Sequence, residues 1–203
     1  MAVAAGPAVT ADLPPAAFQV PLAGSYDLPV VDLVRDHPVI DSSGEATTLF
    51  ALKRGRLAVM AFVYTSCPET EGCPLSQSIL YRLDRALAAD TALGKRVSLV
   101  SLSFDAARDT PEKLAAFRHG QRPQSDWHFV TTRGGPELTD LLDDFNQSVV
   151  PLRDAEGRFT GRYRHVLKIF LLDEENRVRN VYSSGLLSPE LVLADLQTLK
   201  GDS

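Results

Sequence analysis

Cys67 and Cys73 are the only cysteines in a chain of 203 residues, and five residues separate them in the run Phe62-Val-Tyr-Thr-Ser-Cys-Pro-Glu-Thr-Glu-Gly-Cys-Pro-Leu75. Two thiols can neither build a disulfide framework nor fill a four-thiolate zinc site. They close one local bridge, or they do chemistry as a reactive pair or as metal ligands. A chain of this size has little need of a staple, and a strand-to-helix turn is a poor place for an inert bridge. Pro74 suits a first helical position, which makes Cys73 the expected N-cap. The helix dipole there favours a thiolate, while Glu69 and Glu71 in the same loop oppose it.

The elements around this loop follow from hydrophobic spacing. Leu57 to Tyr64 is an unbroken apolar run of strand length, which predicts a fully buried strand. Leu75, Ile79, Leu80, Leu83 and Leu87 recur at helical spacing, which predicts a helix over Pro74 to Ala89. Val97 to Phe104 reads as a second strand, and Asp109-Thr-Pro-Glu112 as the next helix start, with Asp109 as its N-cap. Trp127 to Thr131 then reads as a strand and Glu137 to Phe145 as a helix. Val166 to Leu172 and Arg177 to Tyr182 form a strand pair, and Pro189 to Leu199 a closing helix capped by Ser188. Upstream, Val30 to Val34 and Thr47 to Leu49 read as short strands flanking an Asp41-Ser-Ser-Gly44 turn. Alternating strands and helices imply an α/β, thioredoxin-like domain: a central mixed sheet with helices on both faces. The cysteines then sit at the carboxyl end of a central strand, where such sheets collect ligands and reactive groups.

Composition narrows the setting. Apolar residues make up 44% and charged residues 23%, ordinary for a globular chain. Lys and Arg number 21 against 26 Asp and Glu, a net charge of −5, which argues against nucleic acid and against an anionic membrane surface as partners. The longest apolar run is far short of the roughly 20 residues that span a bilayer. Residues 1–26 read as an Ala/Pro-rich flexible tail and residues 27–203 as the domain. Such a tail suits a stalk behind an N-terminal anchor.

Four segments in order carry a family resemblance: "FVYTSCPETEGCP", "SLSFDAARDTPEKLAAF" (Ser101 to Phe117), "DWHFVT" (Asp126 to Thr131) and "RYRHVLKIFLLDEENRV" (Arg162 to Val178). Together they resemble the Sco/SenC family of exported or membrane-tethered thioredoxin-fold proteins, which serve copper-site assembly in cytochrome c oxidase. The resemblance runs from about Leu28 to Leu199. It implies Cys67, Cys73 and His165 as copper ligands, an accepting protein such as an oxidase subunit as partner, and a periplasmic or otherwise exported location. The chemistry suits that set: thiolates are soft ligands for Cu(I), and imidazole serves Cu(I) and Cu(II). Three protein ligands leave an open position for handing the metal on. Zinc with a fourth water could occupy the same set, but copper has the higher intrinsic affinity.

His165 stands just before a predicted strand, where ordinary thioredoxins carry a cis-proline facing their cysteines, and no proline occurs between Leu152 and Ser188. His37, His119 and His128 read as surface or structural residues. Asp105, at the carboxyl end of a strand on the cysteine edge, stands where it could tune the site.

Two departures from the family matter. Its members most often place three residues between the cysteines; closing the longer ring costs only about 0.3 kcal/mol of chain entropy. The acid and the hydroxyl residue that often flank the histidine are here Arg164 and Val166. Loss of such partners typically weakens metal binding roughly 10–100-fold. The leading expectation is a Sco-like copper carrier whose thiols cycle between reduced and disulfide forms. The alternatives are a thiol–disulfide oxidoreductase using Cys67 and Cys73 on a partner's cysteines, and a binding module with an inert bridge. A peroxidase of the peroxiredoxin type lacks support, since its hydroxyl and proline positions hold Tyr64 and Met60.

Overall fold

Leu57–Val63 (β4) is buried at every position, as an apolar run with no polar face must be. Its side chains alternate between two cores: Val59, Ala61 and Val63 face one, and Ala58, Met60, Phe62 and Tyr64 the other. The computed structural model describes residues 18–67, 73–183 and 186–201. Residues 1–17 of the predicted tail and the loop residues 68–72 lie outside that set.

Val97–Ser103 (β5) runs parallel to β4, and Trp127–Thr131 (β6) parallel to β5. Lys168–Leu172 (β9) pairs antiparallel on the other side of β4, and Arg177–Ser183 (β10) antiparallel to β9. Pro38–Asp41 (β2) joins β6, Ala46–Thr48 (β3) joins β2, and Asp32–Leu33 (β1) caps the far edge on β10. The sheet order is therefore β1-β10-β9-β4-β5-β6-β2-β3.

Helices cover both faces. Cys73–Ala89 (α2), Pro111–Gln121 (α4) and Pro189–Gly201 (α6) supply Ile79, Leu80, Leu83, Leu114, Val192 and Leu196 to one core. Leu49–Lys53 (α1) and Gly135–Asp144 (α5) cover the other, and Thr91–Gly94 (α3) is a single turn. Upstream of β1, Gly24 N–H bonds Thr198 Oγ1 at 2.9 Å, and Tyr26 Oη bonds Asp195 on α6.

Several local expectations are corrected. The Asp41–Gly44 turn joins β2 to β3, not the Val30–Val34 segment, because Val39 supplies the buried position on that ribbon. Thr48 ends β3 and caps α1 by accepting from Ala51 N–H, so Leu49 begins a helix instead of ending a strand. Cys73 is the first residue of α2 instead of its N-cap, a shift of one position. The strand expected from Val166 starts at Lys168.

The sequence reading missed one unit altogether. Val149–Arg153 (β7) and Phe159–His165 (β8) form a separate two-stranded ribbon. Neither strand is buried along its length: Pro151 interrupts the short apolar stretch of β7, and β8 has no apolar run.

Candidate metal centre

Cys67 lies four residues beyond the end of β4, half-buried with a free thiol, and packs against the core that contains Tyr64 and Phe104. The backbone of Cys73 opens α2, while its side chain lies outside the described structure, as do Glu69 and Glu71. Among the described residues no three His, Cys, Asp or Glu side chains gather as a metal site.

His165 ends β8, paired with Val149. Side chains alternate along a strand, and here Gly161, Tyr163 and His165 are the more buried set while Arg162 and Arg164 are exposed. That inward face meets the carboxyl ends of the two central parallel strands. The His165 ring lies 5.0 Å from the Phe104 ring and 6.0 Å from that of Tyr64, and its Nδ1 is shielded from solvent. Tyr163 stacks edge-on to the same two rings, each at 5.3 Å. The fold thus packs Cys67 and His165, nearly a hundred residues apart in sequence, against one hydrophobic core, His165 through the rings of Phe104 and Tyr64.

Two acids organise the surroundings. Asp109 is fully buried and is not the N-cap of α4; that role falls to Thr110, whose Oγ1 accepts from Lys113 N–H. Asp109 instead accepts from Thr65 N–H at 2.9 Å, from the Thr65 hydroxyl at 2.5 Å and from the Ser103 hydroxyl at 2.6 Å. Lys113 Nζ stands 3.7 Å from it and donates to Ser66 Oγ at 2.9 Å. Asp105, also buried, accepts from Arg108 Nε at 2.5 Å and from Tyr163 Oη at 3.0 Å. Burial and the Asp105 hydrogen bond push the Tyr163 hydroxyl up to about 12, so it stays a neutral donor. The parts that sequence reasoning missed are Thr65, Arg108, Gly161 and Tyr163. The turn-like Asp154-Ala-Glu-Gly157 between Val149–Arg153 and Phe159–His165 was the available signal for the ribbon.

Two of the other histidines have structural partners. His37 Nε2 lies 2.9 Å from Asp144 Oδ2 and His128 Nε2 lies 3.0 Å from Asp126 Oδ2. His119 sits in the last turn of α4.

A mixed sheet with helices on both faces and a thiol loop leading from its central strand into a helix defines a thioredoxin-like protein. Residues 29–201 match the SCO1/SenC family model, and the chain belongs to that family. A curated relative from Stutzerimonas stutzeri, named "Putative copper-binding protein", is 29% identical over 123 residues, 60% of this chain. The match spans 56%, a little over half, of that relative's length. Among solved structures, ScoI of Bradyrhizobium japonicum with copper bound shares 24% identity, covering 81% of this chain and 98% of the other at a TM-score of 0.64. BsSco, described through a disulfide switch and as a member of the Sco family of cytochrome c oxidase assembly proteins, shares 19% identity. That likeness covers 87% of this chain and 99% of the other, with a TM-score of 0.65. At these identities the two likenesses establish the fold.

Proposed function

We propose that this protein is an exported copper carrier that binds the metal through Cys67, Cys73 and His165 and delivers it to a copper-accepting protein such as an oxidase subunit. The observation that carries the reading is that Cys67 packs against the same hydrophobic core whose Tyr64 and Phe104 rings, just beyond the carboxyl ends of the central strands, meet the His165 ring. Family membership and the copper-bound relative support it.

The donor chemistry fits copper. One thiol is half-buried and accessible to a metal, and the imidazole has one nitrogen shielded by the ring cluster. Two thiolates and an imidazole suit both copper oxidation states and leave an open position for transfer. Export rests on the family resemblance. Among the described residues no helix is long and apolar enough to cross a membrane.

Copper titration of reduced, metal-free protein tests the reading, with Cys67→Ser, Cys73→Ser and His165→Ala in parallel. Cu(I) is followed by competition with a chromophoric chelator and Cu(II) by the thiolate charge-transfer band. One tight equivalent, weakened in all three variants, is the expected result; no binding within the chelator's range would end the carrier reading.

A second reading is thiol–disulfide exchange, favoured by the accessible free thiol of Cys67 close before a helix that opens with Cys73. One thiolate attacks a partner disulfide and displaces one partner thiolate, forming a mixed disulfide. The other thiolate then displaces the second, leaving Cys67–Cys73 oxidised and the partner reduced by two electrons. A dithiol reductant resets the pair. This reading requires both cysteines and is indifferent to His165→Ala.

A further inference from the structure

Asp105 and Asp109 are the two ends of one tight turn between β5 and α4: the Asp105 carbonyl accepts from Arg108 N–H at 2.9 Å and from Asp109 N–H at 2.8 Å. The ends grip opposite halves of the candidate site. Asp109 takes both donors of Thr65, two residues before Cys67, while Lys113 holds Ser66. Asp105 and Arg108 take the ribbon that carries His165. Arg108 Nη2 donates to Gly161 O at 2.8 Å, and its guanidinium lies 5.1 Å from the Phe159 ring and 5.7 Å from that of Tyr163.

Neither grip is explained by local structure. A carboxylate buried as fully as Asp109 is costly unless its oxygens are well satisfied. The helix that follows does not need it, because Thr110 supplies the cap. Its hydrogen bonds run instead to the cysteine loop and to β5. Gly161 shows how closely the other half is fitted: its φ is +80°, and a Cβ there would lie 3.0 Å from Arg108 Nη1. A side chain at that position would strain the backbone and push the guanidinium away.

We infer that the 105–109 turn is the brace that sets the two halves of the site against each other. Asp109 is the positioning residue for the Cys67 loop, and the Asp105–Arg108 pair is the positioning unit for His165. The metal readout of this inference rests on the copper reading; the geometry does not. One short segment fixes both ligand-bearing elements, so the thiol and the imidazole keep their mutual position when the metal leaves.

The test uses reduced, metal-free full-length protein carrying Asp109→Asn or Arg108→Lys. Peptide mapping by mass spectrometry follows the rate of Cys67 alkylation by iodoacetamide and of His165 modification by diethylpyrocarbonate. Asp109→Asn is expected to raise the Cys67 rate several-fold and leave the His165 rate unchanged; Arg108→Lys gives the reverse pattern. Each variant also weakens copper binding roughly 10–100-fold, as loss of an orienting partner does. If both rates rise together in each variant, or neither moves, the brace is overturned and the turn is scaffold only. Should either variant fail to fold, Thr65→Val reports on the cysteine half and Tyr163→Phe on the histidine half, with the same crossed pattern required. A wild-type protein that binds no copper sinks the carrier reading alone, since the modification rates still decide the brace.

Discussion

Thr65 donates twice to Asp109, through its backbone N–H at 2.9 Å and its hydroxyl at 2.5 Å, and thereby ties the end of the central strand to the next strand-to-helix turn. Hydrogen bonds to a charged group contribute about 1.5–3 kcal/mol, and a buried oxygen left short of a donor costs a similar amount. Thr65→Val keeps the shape and the backbone bond but deletes the hydroxyl. Its unfolding free energy, read from urea denaturation, is expected to fall by about 1–3 kcal/mol.

Core packing away from the site is expected to set stability without setting the metal geometry. Leu83 is fully buried at the middle of α2, among Ile79, Leu80 and Leu87 of the same core. Leu83→Ala should cost about 2–5 kcal/mol through lost burial and the residual cavity. Under the carrier reading, the charge-transfer band of the copper-loaded variant at a temperature where it is folded should match that of wild type. A shifted band would mean that core packing on this face feeds into the metal geometry.

The departure at the histidine offers a gain-of-affinity experiment. Arg164 is exposed and Val166 is 55% exposed, so an acid or a hydroxyl fits at either position without repacking. If such groups orient the imidazole, Arg164→Asp with Val166→Thr should tighten copper binding roughly 10–100-fold. Chelator competition on the double variant measures it, and unchanged affinity would show that the imidazole needs no flanking acid or hydroxyl to orient it.

What the sequence made legible was whatever the hydrophobic effect writes into it. The run Leu57–Val63, the helical stripe from Leu75 to Leu87 and the strand from Val97 needed no neighbour to be read, because burial on one face or two dictates their pattern. The ribbon bearing His165 was not legible, since β8 alternates Arg with Tyr and its partner Val149–Arg153 is interrupted by Pro151. Its inward face exists only because Phe104, Tyr64 and Arg108 supply the surface that Tyr163 and His165 pack on. Asp109 failed for a related reason. Acid, threonine and proline in sequence fit a helix cap equally well at either of the first two positions, and only the arrival of Thr65 from the turn after β4 assigns Asp109 elsewhere.

A pH dependence follows from Asp126, at the opposite end of the sheet from the thiol loop. Burial alone would raise its pKa, but the hydrogen bond and charge of His128 and the charge of Arg56 outweigh it and hold the carboxyl at about 2. A folded-state pKa below the unfolded value means that the unfolded chain binds the proton first as pH falls. The stabilisation is therefore fully present above about pH 4 and is lost between there and about pH 2. Asp126→Asn removes the titration, so its unfolding free energy should change less steeply with pH than that of wild type across that window. Parallel slopes for the two proteins in acid denaturation series would show that Asp126 carries no such linkage.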